Sequence, residues 1–452
     1  MNISGKILFL LLALSQVTFA VEPPDQGSTS RGRMPSRIDP ALGIGNQFTA
    51  PDLVANLRAR FSGAKGVNQL PGKRATGLPS EGSPTMLVLL IEFDEYPARP
   101  GDTAEVMAAR IFGSGGTFPF ESLSAYYRRS SHGKLNIGGD VLGWYKAGKR
   151  ADVPETREGR EALIKRALQN YKGQDFSQYD NNGDGVVDYF SVIWTGPTGE
   201  WATFWWGVAP HFSDKNFTVN GKKLNAYSWQ GVVSKWEDPE SAFKIRTLVH
   251  ETGHALGLPD YYDYKPGTGP DGGLGYFDMM DSTYYDHNCF SKLMLGWVEP
   301  KIITMGGEYK LRPASDSGEC LMLVPPGRDK NPFGEFFLLE NRRKAGNDTE
   351  SGFIGGLVVW HVDARLNQAG TNFKYDNQLT EHKLLRALES DGLEELEKRL
   401  SKSFSYLDFY IKDRALGPDT LPSSRLYDGR DTGISLFSRG GDSEVDFTVG
   451  FK

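Results

Sequence analysis

The chain has 452 residues and a formal net charge of −6, with 24% charged and 39% hydrophobic residues. This length exceeds that of one compact domain and favours two or three units. The mild acidic balance argues against nucleic acid or an anionic membrane as a partner. No apolar run reaches the length of a membrane span.

The first twenty residues form a predicted signal peptide. Lys6 supplies a positive start, residues 7–14 supply an apolar centre, and Ala20 ends a cleavage site of small residues. The mature chain, with a net charge of −7, is therefore expected to be secreted and extracellular, or periplasmic, and monomeric. In an oxidising compartment, Cys289 and Cys320 are expected to form a disulfide bond. Two unpaired buried thiols are the alternative.

Residues 21–83 differ in composition from the rest of the chain. They are rich in Pro, Gly, Ser and Arg, and carry eight Lys or Arg against five Asp or Glu. One short amphipathic stretch runs from Pro51 to Phe61. The segment is interpreted either as the prosegment of a zymogen, cut near Lys73-Arg74, or as a flexible N-terminal extension.

Mixed strands and helices follow from residue 84. The apolar run 85–93 predicts a buried strand, and residues 135–145 predict another strand with a bulge or turn at Gly-Gly. Residues 121–129 and 158–171 predict helices. Such a mixture indicates an α+β or α/β catalytic unit.

A loop rich in acids follows the second of these helices. Asp180, Asn182, Asp184 and Asp188 occupy positions 1, 3, 5 and 9 of a pattern that matches the first part of a calcium-binding loop. The usual glutamate at position 12 is replaced by Ser191, and a strand follows, so an EF-hand pair is excluded. We predict one structural Ca²⁺ here, because four such oxygens without a cation would repel one another. A turn without an ion is the alternative.

The stretch from His250 to Asp260 reads HETGHALGLPD. On a helix, His250 and His254 lie one turn apart on one face, where both imidazoles can reach one metal ion. Glu251 projects about 100° round the helix, where it can reach a water on that ion without ligating it. Aliphatic residues occupy the other side, so the histidines are expected to face a cleft. The pattern predicts a catalytic zinc site.

Residues near this helix indicate where it begins and ends and which side chain could be the third metal ligand. Asp238 is expected to cap the start of the helix and Gly257 to end it. Two imidazoles and one carboxylate form the open zinc site of a hydrolase. Asp260 has the right spacing for the carboxylate, Asp263 is a weaker rival, and His287 is an outside candidate.

A methionine pair lies further along, within residues 275–281. A methionine in a tight turn beneath the three ligands would form an apolar floor for the site. By itself, such a pair is more often plain core.

After residue 300 the helical signal fades. Short strands are predicted between Gly, Pro and Asp turns, with one charged helix. The strands are expected at residues 309–312, 320–324, 335–340, 356–362 and 444–447, and the helix at 393–401. This composition indicates a β-rich, sandwich-like C-terminal domain.

Several stretches together resemble the immune inhibitor A family of secreted zinc metalloproteases, relatives of the metzincins. In chain order they read LVLLIEFDEYP, SLSAYYRRSSHGKLNIGGDVLGWY, DNNGDGVVDYF, HETGHALGLPDYYD, GLGYFDMMDS, FSKLMLGWVEP, EFFLLENRRK, GLVVWHVD and HKLLRALESDG, with a weaker likeness in YDGRDTGI. All but the last lie within residues 86–392. The resemblance therefore covers most of residues 86–392.

The resemblance implies roles for particular residues. Zinc would lie on His250, His254 and Asp260, with Glu251 as the general base and Met280 as the turn methionine. Calcium would lie near the loop that begins at residue 180. Asp281 departs from the family pattern, in which a small residue usually follows the methionine.

The sequence thus predicts an α+β fold with a metzincin-like zinc protease domain at residues 84–300 and a β-rich, sandwich-like domain at 301–452. The expected function is that of a secreted zinc endopeptidase acting on protein or peptide substrates. Glu251 would assist the attack of a zinc-bound water. The alternatives are a zinc hydrolase of a non-protein amide or a cell-wall peptide, and a catalytically silent, calcium-stabilised binding protein.

Overall fold

The computed structural model describes residues 51–61, 77–200, 203–233, 243, 245–263, 272–352, 355–377, 381–398 and 408–452. The predicted signal peptide, the cut near Lys73-Arg74 and the helix cap at Asp238 lie outside these residues. Within these ranges, no helix has both the length and the apolar composition needed to cross a membrane.

Helices and strands both contribute to the fold, in agreement with the predicted α+β class. The helices are α1 (Pro51–Phe61), α2 (Ala104–Phe112), α3 (Leu123–Ser130), α4 (Arg157–Gln169), α5 (Arg246–Ala255), α6 (Met279–Ser282), α7 (Cys289–Leu295) and α8 (Ala314–Ser317). Helices α2, α3 and α4 each begin at a Ser or Thr whose side chain accepts a backbone N–H bond. Such caps satisfy donors that a helix start leaves unpaired.

The first sheet has the strand order β2-β1-β3-β5-β4. Its strands are β1 (Thr85–Glu92), β2 (Gly138–Lys146), β3 (Val186–Trp194), β4 (Thr218–Val219) and β5 (Lys222–Gly231). Only the short β4 pairs antiparallel to its neighbour. Alternate residues of β1 enter two hydrophobic cores, one shared with α2, α3 and α5 and the other with α4. Burial on both faces explains why β1 is apolar throughout.

Two further sheets form the C-terminal part of the chain. The second has the order β11-β10-β9-β8-β6 and the third the order β12-β13-β14-β7. Their strands are β6 (Lys301–Ile303), β7 (Gly307–Leu311), β8 (Leu321–Leu323), β9 (Glu335–Arg342), β10 (Gly356–Asp363), β11 (Leu385–Ala387), β12 (Arg414–Leu416), β13 (Ile434–Gly440) and β14 (Val445–Phe451). The two sheets share a third hydrophobic core.

Strands β9 and β10 form a middle layer between two cores. Phe337 and Leu339 of β9 pack towards the third sheet, whereas Phe336 and Leu338 pack into the same core as α5 and α7. Every residue of both strands is buried. The sheet that follows residue 300 therefore contributes to the same hydrophobic core as α5.

Two local predictions differ from the structure. Helix α5 begins at Arg246, and Phe243 and Ile245 before it are not helical, so the predicted earlier start is wrong. The predicted helix at 393–401 is wrong over its described part, 393–398, which forms turns. The carboxylate of Glu389 accepts the backbone N–H groups of Glu395 and Leu396 there, and the Lys398 N–H donates to the Glu394 carbonyl, so these described residues form a single turn and not a regular helix.

The predicted disulfide bond is also wrong in this structure. Cys289 and Cys320 are free thiols, both buried in the main core. Burial raises the pKa of the Cys289 thiol well above its ordinary value, and a hydrogen bond with Cys320 raises it further. The alternative of two unpaired buried thiols is the one observed, and both behave as small apolar side chains.

Candidate metal centre

Helix α5 carries both histidines, and backbone carbonyls orient their rings. His250 Nδ1 lies 2.9 Å from the carbonyl oxygen of Met279, and His254 Nδ1 lies 2.9 Å from that of Leu258. A carbonyl can only accept, so in the neutral ring the hydrogen sits on Nδ1. Each Nε2 is then left with a free lone pair, as a metal ligand requires.

The turn after α5 brings Asp260 back to the histidines. Gly257 has a φ of +101°, and the Leu258 N–H donates to the Gly253 carbonyl at 3.0 Å, which closes the helix end. Asp260 Oδ1 then lies 3.0 Å from His250 Nε2 and 3.2 Å from His254 Nε2.

The chemistry of these three side chains fits a zinc ion. Ligand bonds of 2.0–2.2 Å in a tetrahedron separate ligand atoms by about 3.3–3.5 Å, close to the observed separations. Asp260 Oδ1 is buried and accepts no well-formed hydrogen bond in the part of the chain that the structure describes. A buried carboxylate oxygen without a donor is costly unless a cation compensates it.

The two rival ligands are not part of this group. Asp263 and His287 are buried, but neither joins the cluster of potential ligand atoms formed by the two histidines and Asp260. A second cluster among the described residues consists of Glu389, Glu395 and Asp408 and contains no histidine.

Burial and charge act in opposite directions on the three side chains. Burial disfavours a charged imidazole, but the close contact with the negative Asp260 carboxylate outweighs it and raises the pKa of His250 to about 9. Burial likewise disfavours the Asp260 carboxylate, while His254 and His250 hold its pKa below the ordinary value. The site therefore favours an ionised Asp260 carboxylate next to a positive charge.

Glu251 lies beside the group without joining it. Its side chain is 5% exposed, and burial raises its pKa above the ordinary value. A Cβ atom at Gly207 would lie 3.0 Å from Glu251 Oε1 and 2.8 Å from Thr247 Cγ2. The loop that contains Gly207 thus packs directly against the carboxylate.

Met280 lies beneath the helix. A Cβ atom at Gly253 would meet Met280 Sδ at 2.3 Å, so the glycine leaves room for the sulfur. Asp278 caps α6 by accepting from Met280 N at 2.7 Å, and its other oxygen accepts from the side chain of Asn288 at 2.6 Å. Asp278 therefore links the methionine turn to Asn288, the residue that caps α7.

Asp281, the departure from the family pattern, also has a defined position. Its Oδ2 accepts from Leu274 N at 2.5 Å, and a Cβ atom at Gly273 would lie 2.1 Å from that oxygen and 2.4 Å from the Tyr261 carbonyl. The carboxylate fixes residues 273–274 against the segment that follows Asp260.

The sequence interpretation missed two residues near the site. Burial and the charges of Asp260 and Glu251 raise the pKa of Tyr262 well above its ordinary value, and its place two residues after Asp260 was the available signal. Arg342 of β9 donates to the carbonyl of Phe277, just before α6, at 2.8 Å. Nothing in the local sequence indicates that contact.

The structure does not support the predicted calcium site. Lys222 Nζ lies 2.7 Å from Asp180 Oδ2, and backbone N–H groups donate to Asp180, Asn182 and Asp184. Asp188 accepts from the backbone and side chain of the neighbouring asparagine 181. The lysine and these donors supply the compensation that the sequence interpretation assigned to calcium.

These features define a protein with a buried His-His-Asp group on a helix above a methionine turn, at one face of a mixed sheet. Two relatives have similar sequences. Immune inhibitor A of Bacillus thuringiensis subsp. alesti is 29% identical over 181 residues, which cover 32% of this chain and 26% of the relative. Pre-pro-metalloprotease PrtV of Vibrio cholerae serotype O1 is 28% identical over 196 residues, which cover 36% of this chain and 21% of the relative.

The similarity confirms the predicted resemblance to immune inhibitor A. The matched part of this chain spans about a quarter of the length of these relatives. No model of a known protein family matches the chain.

Proposed function

We propose that the protein is a zinc-dependent endopeptidase in which His250, His254 and Asp260 hold the metal and Glu251 is the general base. The observation that carries this proposal is the convergence of two Nε2 atoms and one carboxylate oxygen in a buried group. The similarity to a protein named a metalloprotease supports peptide bonds as the target and proteins as the substrates.

The chain's own residues account for most of the proposed chemistry. Zinc, when bound, supplies a Lewis acid that polarises a carbonyl and lowers the pKa of water. Glu251 takes the proton of the attacking water and delivers it to the leaving amine. The raised pKa of this carboxyl moves its proton affinity towards neutral pH, where such a shuttle is most effective.

The domain limits and the export route belong to the same proposal. Residues 1–20 would direct secretion, residues 21–83 would include the prosegment of a zymogen, and residues 84–300 would form a metzincin-like catalytic domain. Residues 301–452 would form the β-rich domain. The contact between β9 and the turn before α6 supports a direct role for this second domain in holding the site.

The test is cleavage of a generic protein substrate such as casein by wild type and by Glu251→Gln. We expect wild type to lose activity with a zinc chelator and to regain it when zinc is restored. The variant should bind zinc but lose at least about 100-fold in kcat, the range for a general base. Equal cleavage by both zinc-loaded proteins would refute the role of Glu251.

A further inference from the structure

Helix α1 lies within the proposed prosegment but packs as part of the main core. Leu53, Val54 and Leu57 are 5%, 1% and 0% exposed. They belong to the same hydrophobic cluster as Leu293 and Met294 of α7. A helix with its aliphatic face this deeply buried contributes to the fold rather than covering it loosely.

Polar contacts attach the same helix to α7. Arg60 Nη2 donates to the carbonyl oxygens of Leu293 at 2.8 Å and Met294 at 2.6 Å. Carbonyls in the last turn of a helix have no partner within it, and a cation there also offsets the helix dipole. Arg58 Nη1 donates to the Gly370 carbonyl at 2.8 Å, so α1 also contacts the C-terminal half of the chain.

Residues 77–82, the next described residues after α1, make separate contacts with the body of the protein. Leu78 N donates to the Ala255 carbonyl at the end of α5 at 3.0 Å. Trp297 Nε1 donates to the Ser80 carbonyl at 2.7 Å, and Gly82 forms a bridge with Leu135. Helix α1 and residues 77–82 are therefore each held by noncovalent contacts of their own. None of these described contacts requires an intact chain between the two segments.

We propose that a cut anywhere between Phe61 and Gly77 leaves α1 bound, so that the processed protein consists of two chains. The N-terminal fragment that contains α1 then stays bound to α7. The aliphatic face of α1 and Arg60 hold it there. This inference does not depend on zinc or on peptidase activity.

The bound helix would continue to support the candidate metal centre. Asn288 caps α7 by accepting from Phe290 N and Ser291 N, and its side chain donates to Asp278, which caps α6 beside Met280. Helix α1 therefore braces a helix whose first turn is tied to the floor of the site.

The experiment uses the full chain with a recognition sequence for a specific protease inserted between residues 66 and 73. After cutting under native conditions, size-exclusion chromatography with mass spectrometry of the peak shows whether the fragment stays with the body. We expect the fragment and the body to elute in one peak in native buffer and to separate only in denaturant. A fragment that elutes alone in native buffer contradicts the proposal, whether or not the body stays folded.

Two substitutions on α1 locate the interface in the cut protein. Leu57→Ala removes a fully buried side chain and should weaken retention about 30-fold or more. Asn56→Ala, at the neighbouring exposed position, should change it by no more than about twofold. Equal retention of both variants would show that the aliphatic face does not hold the fragment.

Discussion

Gly207 limits the space available to the proposed general base. A methyl group at this position would approach Glu251 Oε1 to 3.0 Å and Thr247 Cγ2 to 2.8 Å, closer than ordinary contact. Gly207→Ala should therefore displace the carboxylate and lower kcat by about 10- to 100-fold, the cost of misplacing a catalytic group by about 1 Å. Steady-state kinetics on a peptide substrate measure the effect.

Zinc content and a matched substitution separate this effect from general damage. Gly207→Ala should keep its bound zinc, because the atoms nearest to the added methyl group belong to Thr247 and Glu251 and not to the three proposed ligands. A methyl group at Gly173 would meet no heavy atom of the described residues within 4 Å, so Gly173→Ala should leave kcat unchanged. An unaltered kcat in Gly207→Ala would show that Glu251 tolerates the shift or is not the base.

Residue spacing predicted part of this site and missed the rest for physical reasons. Helical periodicity determines that residues four apart share a face, which predicted the approach of His250 and His254. Asp260 followed from the turn after the helix, a short-range feature. Lys222 lies 42 residues from Asp180, and no local pattern reveals that this cation contacts the predicted calcium loop.

Strand β9 is tied to the turn before α6 by a buried ion-pair network. Arg342 contacts Asp348 at 2.7 Å and the Phe277 carbonyl at 2.8 Å, and its side chain is 2% exposed. Arg342→Ala would leave the buried carboxylates uncompensated. We expect a loss of about 3–5 kcal/mol in the free energy of unfolding, measured by denaturant titration.

An exposed arginine in a similar pair provides the control. Arg312 lies 2.6 Å from Glu319, with both side chains at least 36% exposed, and such surface pairs contribute less than about 1 kcal/mol. Arg312→Ala should therefore unfold close to wild type. Similar losses in both variants would contradict the importance assigned to burial of the Arg342 network.

At the scale of elements, periodic apolar patterns predicted most of the described structure. The helix expected at 158–171 appears as α4, and the strand expected at 356–362 appears as β10. The helix prediction failed over residues 393–398. This charged stretch has helical composition, but its described residues form a turn, in which Glu389 accepts two N–H groups.

The main hydrophobic core extends through most of the molecule, from Leu53 in α1 to Phe409 near the third sheet. Composition alone suggested a boundary near residue 300, because the helical signal fades there. Contacts between β9 and α7 cannot be read from composition, since they join segments far apart in the chain. The proposed domains should therefore unfold together rather than one after the other.

One buried carboxyl makes the stability of the whole molecule depend on pH. Burial raises the pKa of Glu389 from 4.5 to about 7. The unfolded chain loses this proton first, so stability should fall as pH rises from 4.5 to 7 and then level off. The contribution is about 3 kcal/mol at most.

The comparison of wild type with Glu389→Gln isolates this carboxyl from other titrating groups. The free energy of unfolding of each protein is measured from pH 4.5 to pH 8. We expect the difference between the two proteins to shift in favour of the variant as pH rises towards 7. Parallel profiles across the range would contradict the raised pKa.

The most direct test of the account is the zinc content of the purified protein and of three variants, measured by elemental mass spectrometry after dialysis against a weak chelator. We expect one zinc per chain in wild type and its loss in Asp260→Ala. Asp263→Ala and His287→Ala, which change the two rival ligands, should retain it. Zinc that stays in Asp260→Ala but leaves either of the other variants would contradict the proposed metal centre.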